Sequence, residues 1–159
     1  MERSEPSPTE YLSSPKRMKK VTSKRHKGRV SQVPRTSQVR EGEYSLISTT
    51  TGRITAKQLT SLQMTVKRVV PTGTTIIPRV FAKYPVTAKP LEVRMGKGKG
   101  SIDHYIARVR YNTVLIELRG TKAGVDYKEM LRLSSTKLPV STRVVISPPA
   151  QIAPIPLIG

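Results

Sequence analysis

The residues most suited to chemistry form one short string, Arg94-Met95-Gly96-Lys97-Gly98-Lys99-Gly100. Three glycines leave the backbone bare, so its N–H groups can approach an oxyanion closely. Lys97 and Lys99 add point charges, and Arg94 can grip a phosphate with two parallel hydrogen bonds. The spacing is not that of a Walker A loop, which needs four residues between its first glycine and Gly-Lys-Ser/Thr. It is not the dinucleotide fingerprint either, because that opens a helix and the residues after Gly100 alternate like a strand. Backbone phosphate contact inside a crowded nucleic-acid crevice is the chemistry left.

Catalysis finds little support. Ser101, Asp103 and His104 are close in sequence, but catalytic triads converge in space rather than by adjacency. On a regular strand Asp103 and His104 point to opposite faces, and His104 reads as a structural strand residue. Carboxylates are few and no acid/base pair stands out. With no cysteine and two histidines far apart, His26 and His104, no metal site and no cofactor are expected. The chain is expected not to be an enzyme.

Charge names the class of partner. Lys and Arg number 29 against 10 Asp and Glu, a formal charge of +19, which calls for a polyanion. Membrane is disfavoured, because no apolar run reaches transmembrane length and no basic amphipathic helix is evident. One Phe, six Tyr and no Trp argue against a base-stacking platform and for phosphate and shape reading. The charge is densest from residue 16 to 29, in Lys16, Arg17, Lys19, Lys20, Lys24, Arg25, Lys27 and Arg29, with His26 and Gly28 among them. Such a segment cannot bury a core and is expected to be an arm that orders on RNA. Arg53 and Arg79 are further candidate phosphate contacts.

These groups need a scaffold. Residues 1–15 read as a disordered lead-in with no secretory or transit character, and 16–43 as the basic arm and loop. The globular part is expected over 44–146. A strand at Tyr44–Ser48 ends in a turn, Thr49 to Gly52, and Thr55-Ala56-Lys57-Gln58 has capping-box form. Leu59, Leu62, Val66 and Val69 then give one apolar helical face, stopped at Pro71–Gly73. Ile76–Phe81 reads as a strand whose Pro78 marks an edge or bulge, and Pro85 and Pro90 bracket a loop. Tyr105, Ala107, Val109 and Tyr111 alternate with His104, Ile106, Arg108 and Arg110, and Asn112 turns into a hairpin partner, Val114–Leu118. A second helix starts near Asp126, with Met130, Leu131, Ser134 and Leu138 inward, and a last strand covers Val140–Ile146. Residues 147–159 form an extended tail rich in Pro and Ile. The class is α+β, with an antiparallel or mixed sheet and two helices.

At this level the chain resembles the universal, bacterial-type family of large-subunit ribosomal protein sixteen. The resemblance is carried by Pro15-Lys16-Arg17, His26-Lys27-Gly28-Arg29, Gly52-Arg53-Ile54-Thr55-Ala56-Lys57-Gln58, Arg79-Val80-Phe81, Pro85 to Pro90, Val93 to Gly100 and Lys137-Leu138-Pro139. It implies an α/β hammerhead fold and a structural role in the large subunit. It also implies rRNA binding near the central protuberance, with the Arg94–Gly100 loop and the arm reaching toward rRNA and A-site tRNA near the peptidyl-transferase region. A free RNA chaperone or assembly factor is the alternative.

The chain departs from the family pattern at Thr60-Ser61-Leu62-Gln63, at Ile77-Pro78, in loop 30–41 and in the added tail. Contacts of that helix and loop are not carried over. Drift of this kind resembles an organellar version, mitochondrial more than plastid or bacterial, whose tail docks on a neighbouring ribosomal protein.

Overall fold

Thr55 stands in extended conformation at the head of helix α1 (Ala56–Val69), and its hydroxyl accepts from the Gln58 amide. The Gln58 side chain accepts from Thr55 N in return, so two otherwise orphaned donors are satisfied reciprocally. Of the predicted face, Leu59, Leu62 and Val66 are buried, but Val69 is only half-buried and Val70, just past the helix, joins the core in its place. At the second helix, α2 (Tyr127–Ser135), the Asp126 carboxylate accepts from Glu129 N and Leu131 and Ser134 turn inward.

In this computed structural model, residues 22–24, 26–34, 42–96 and 98–147 are described. The lead-in, residues 16–21 of the arm and the tail from 148 onward fall outside that set. Seven strands join the two helices there. Strands β1 (Tyr44–Ser48), β3 (Thr75–Pro78), β6 (Val114–Arg119) and β7 (Thr142–Ile146) form one sheet in the order β3-β6-β1-β7. Strands β2 (Gly52–Thr55), β4 (Tyr84–Ala88) and β5 (Ser101–Val109) form a second, ordered β2-β5-β4. All pairs are antiparallel, which gives the expected α+β class. Between the layers lies one core that draws Leu46, Leu115 and Leu118 from the first sheet and Ile54, Ala107 and Val109 from the second. Both helices complete it with Leu62, Val66, Tyr127 and Leu131.

Several expectations are corrected. Gly52 begins a strand rather than closing a turn, because Gly52–Thr55 pairs with Val109–Ile106. The stretch between Pro85 and Pro90 is largely strand, β4. Pro85 is tolerated because β4 is an edge and pairs with β5 alone. The strand beginning near Ile76 stops at Pro78, on the edge of the first sheet, rather than running to Phe81. The last strand starts at Thr142, since Val140 is used as a core residue before it.

The largest difference concerns β5 and β6. They do not form a hairpin, although Asn112 does adopt a left-handed turn at φ 63°. The turn hands the chain from one sheet to the other. Ser48 holds it there: its hydroxyl donates to Arg110 O at 2.7 Å and accepts from Thr113 N at 3.1 Å.

Candidate nucleic-acid interface

Arg53 and Arg108 face each other directly across the β2–β5 ladder, a placement that repulsion alone disfavours. The arm relieves it. Arg53 donates to Gly28 O at 2.6 Å and Arg108 to His26 O at 3.4 Å, so two arm carbonyls sit over the paired cations. Gly28 has φ +58°, which a side chain would strain, and a Cβ there would lie 2.7 Å from the Arg108 guanidinium, so that guanidinium would have to shift. The Arg108 guanidinium also stacks on the Tyr84 ring, 4.1 Å from its centroid.

Further along, the arm meets the glycine loop. Lys24 Nζ donates to Lys99 O at 3.3 Å, and Lys99 Nζ donates to Lys24 O at 3.1 Å. Lys89 Nζ donates to Gly96 O and braces the loop from its other limb. Arm and loop, which read as separate features in the sequence, therefore form one continuous basic strip. Lys27, Arg29, Arg53, Arg94, Met95, Gly96, Gly98 and Lys99 are all exposed along it. Met95 is 98% exposed and Leu91 fully so, so neither side chain packs against the described residues. Gly100 is half-buried at the loop's end. Lys16, Arg17, Lys19, Lys20, Arg25 and Lys97 lie outside the described residues.

Beside the strip is a cleft of about 510 Å3. Its walls come from the arm (Arg29, Val30, Ser31), the β3–β4 connection (Arg79, Val80, Phe81, Lys83), Tyr84, and the end of β5 with the turn after it (Ala107, Arg108, Arg110, Thr113). Five of these side chains are cationic, and no carboxylate is among the described lining residues. Arg79 is placed in this wall and donates to Glu117 Oε2 at 2.8 Å. Glu117 is fully buried at the centre of the first sheet. Its carboxylate is thereby compensated, and the arginine is fixed in one orientation.

Lys83, Arg108 and Arg110 were not singled out from sequence. The signal for the last two was present, since Arg108 and Arg110 share one face of an alternating segment, but nothing local says where that face points. Asp103 and His104 also differ from expectation. His104 Nδ1 lies 2.8 Å from Asp103 Oδ2, so the two side chains meet on one side of the strand. The cause is a bulge: Val86 pairs with His104 but Thr87 with Ile102, leaving Asp103 as the extra residue. Ser101 begins the same strand and has no place in a nucleophile–base arrangement. Among the described residues no cluster of three or more His, Asp or Glu could hold a metal.

The family model for ribosomal protein L16p/L10e matches residues 15–145. The chain belongs to this family. Among its relatives is the large ribosomal subunit protein uL16 of Borreliella burgdorferi, 38% identical over 134 residues, covering 84% of this chain and 95% of the relative. The uL16 protein of Halorhodospira halophila is 43% identical over 123 residues, 77% of this chain and 89% of the relative. That of Dichelobacter nodosus is 45% identical over 101 residues, 64% and 73% respectively. The span matched by the family model includes the whole basic arm, the cleft and the glycine loop.

Proposed function

We propose that the chain is a structural constituent of the large ribosomal subunit that binds rRNA through the strip of arm, β2–β5 face and glycine loop. The reciprocal Lys24–Lys99 contact carries the reading, because it joins the two most basic segments into one phosphate-facing surface. Family membership supplies the particle. A binding role fits the family's place as a structural ribosome component, and the described part of the strip offers cations and bare backbone. The tip, exposed at residues 91–96 and 98, is oriented toward A-site tRNA near the peptidyl-transferase region, and the exposure of Leu91 and Met95 leaves it free to insert. Neighbouring ribosomal proteins are the other partners, one of them docked by residues 147–159. Among the described residues no helix is long and apolar enough to cross a membrane.

Sedimentation tests the assignment. A constituent stays with the large subunit through a high-salt wash, whereas a free RNA chaperone or assembly factor leaves it. Deleting residues 16–29 should weaken incorporation and flatten the salt dependence of rRNA binding, because the arm supplies much of the phosphate neutralisation. An unchanged slope would remove the arm from the interface. The departures from the bacterial pattern at Thr60–Gln63 and Ile77-Pro78 and the added tail favour a mitochondrial ribosome, in the matrix, over a plastid or bacterial one. Recovery of the tagged chain in plastid or bacterial ribosomes would reverse that placement. Unchanged subunit composition on deleting 147–159 would exclude the docking role.

A further inference from the structure

The cleft beside the strip holds more charge than one phosphate can use. Arg29, Arg79, Lys83, Arg108 and Arg110 converge on about 510 Å3 from three separate stretches of chain, and Glu117 offsets one of them. Among the described residues a surplus of four remains, five cations less one carboxylate. A phosphodiester carries a single negative charge. A regular duplex also presents its phosphates on a convex cylinder, so a concave site reaches them one at a time. A strand that doubles back turns several phosphates toward one point, and that crowding needs counter-charge from outside the RNA.

The cleft is built before any ligand arrives. The Arg79 guanidinium is held by buried Glu117 and that of Arg108 by its stack on Tyr84 and its bond to His26 O, while the Ser48 hydroxyl holds the backbone that presents Arg110. Fixed cations lose little side-chain freedom on binding, so they favour a ligand that matches their spacing over a diffuse polyanion.

We propose that this cleft seats at least two neighbouring phosphates where the backbone of a folded RNA turns sharply. The proposal rests on the reading of the chain as an rRNA binder and specifies which feature of RNA the cleft takes.

The test uses the full chain and two RNA hairpins of equal length, one fully paired and one with an asymmetric internal loop that bends the strand back. Affinities are measured across a salt series for wild type, for the double variant Lys83→Met/Arg110→Met, and for Arg143→Met. Both cleft residues are exposed, so their loss should leave folding intact, and Arg143 on β7 controls for general charge.

With the bent hairpin, the slope of log K against log salt should fall by about two in the double variant, one for each phosphate no longer neutralised. With the paired hairpin, and for Arg143→Met, it should fall by about one or less. A fall of one or less on the bent hairpin overturns the two-phosphate seat, as does equal wild-type affinity for the two RNAs. If wild type binds neither hairpin, the RNA-binding reading itself has failed, which is a different outcome.

Discussion

The two ends of the glycine loop use the same residue for opposite reasons. At the root, a Cβ added to Gly100 would lie 2.2 Å from Ala88 O and 2.6 Å from its carbonyl carbon. Both are backbone atoms of the neighbouring strand, so the ladder can close only if nothing projects there. At the tip, a Cβ added to Gly96 or Gly98 would meet nothing within 4 Å among the described residues, but their φ values are +107° and +87°. There the glycine serves conformation and low bulk, and the free protein does not use the vacant space around it. The root is therefore a requirement of the fold, whereas at the tip the packing of the described residues imposes no such limit.

Substitution separates these roles, and Gly100→Ala should have the largest effect on the protein alone. The β4 backbone must shift, at a cost of about 1–3 kcal/mol as in other overpacked sites, with a lowered unfolding midpoint. Subunit incorporation should fall with it. An unchanged midpoint would mean that the root tolerates a side chain and that the contrast is wrong.

Arg94→Ala comes next and should act on function rather than on folding. Arg94 is exposed, so the midpoint should hold, while tRNA accommodation on reconstituted subunits falls more than incorporation does. Equal loss of both would count against a tip aimed at tRNA. Gly98→Ala tests the same end more gently. A non-glycine residue at positive φ costs about 1–2 kcal/mol, and an unpacked loop can relax part of that. Translation by the variant ribosome should suffer more than stability of the free chain.

The sequence made some of this contrast visible and hid the rest for identifiable reasons. The capping box at Thr55–Gln58 and the face of Leu59, Leu62 and Val66 are local, and both stand as read. The glycine string is local too, and the expectation that it meets phosphate rests on residue type alone. Gly100's constraint was not legible, because it depends on β4, and Pro85 made β4 look like a loop. The sheet switch after Val109 was hidden likewise: Asn112 announces a turn, but the partner of Val114–Arg119 is chosen by β1 and β3. The cleft is the extreme case. Arg79 and Glu117 are 38 residues apart, and no pattern along the chain connects them with Arg29 or Arg108.

The smallest effect on stability belongs to Lys99→Met, and it probes how root and arm are coupled. Each lysine of the Lys24–Lys99 pair donates to the other's carbonyl in exposed positions, where water competes for the same bonds. Losing one ammonium should leave the unfolding midpoint unchanged. It should nevertheless loosen the arm, so amide exchange at residues 22–28 should quicken while exchange in β5 stays slow. If the contact orders the arm on the free protein, quicker arm exchange should accompany a loss of RNA affinity larger than that of Lys67→Met, an exposed lysine on α1 carrying the same charge. Equal losses would show that Lys99 contributes charge alone, and that arm and loop come together only once RNA is bound.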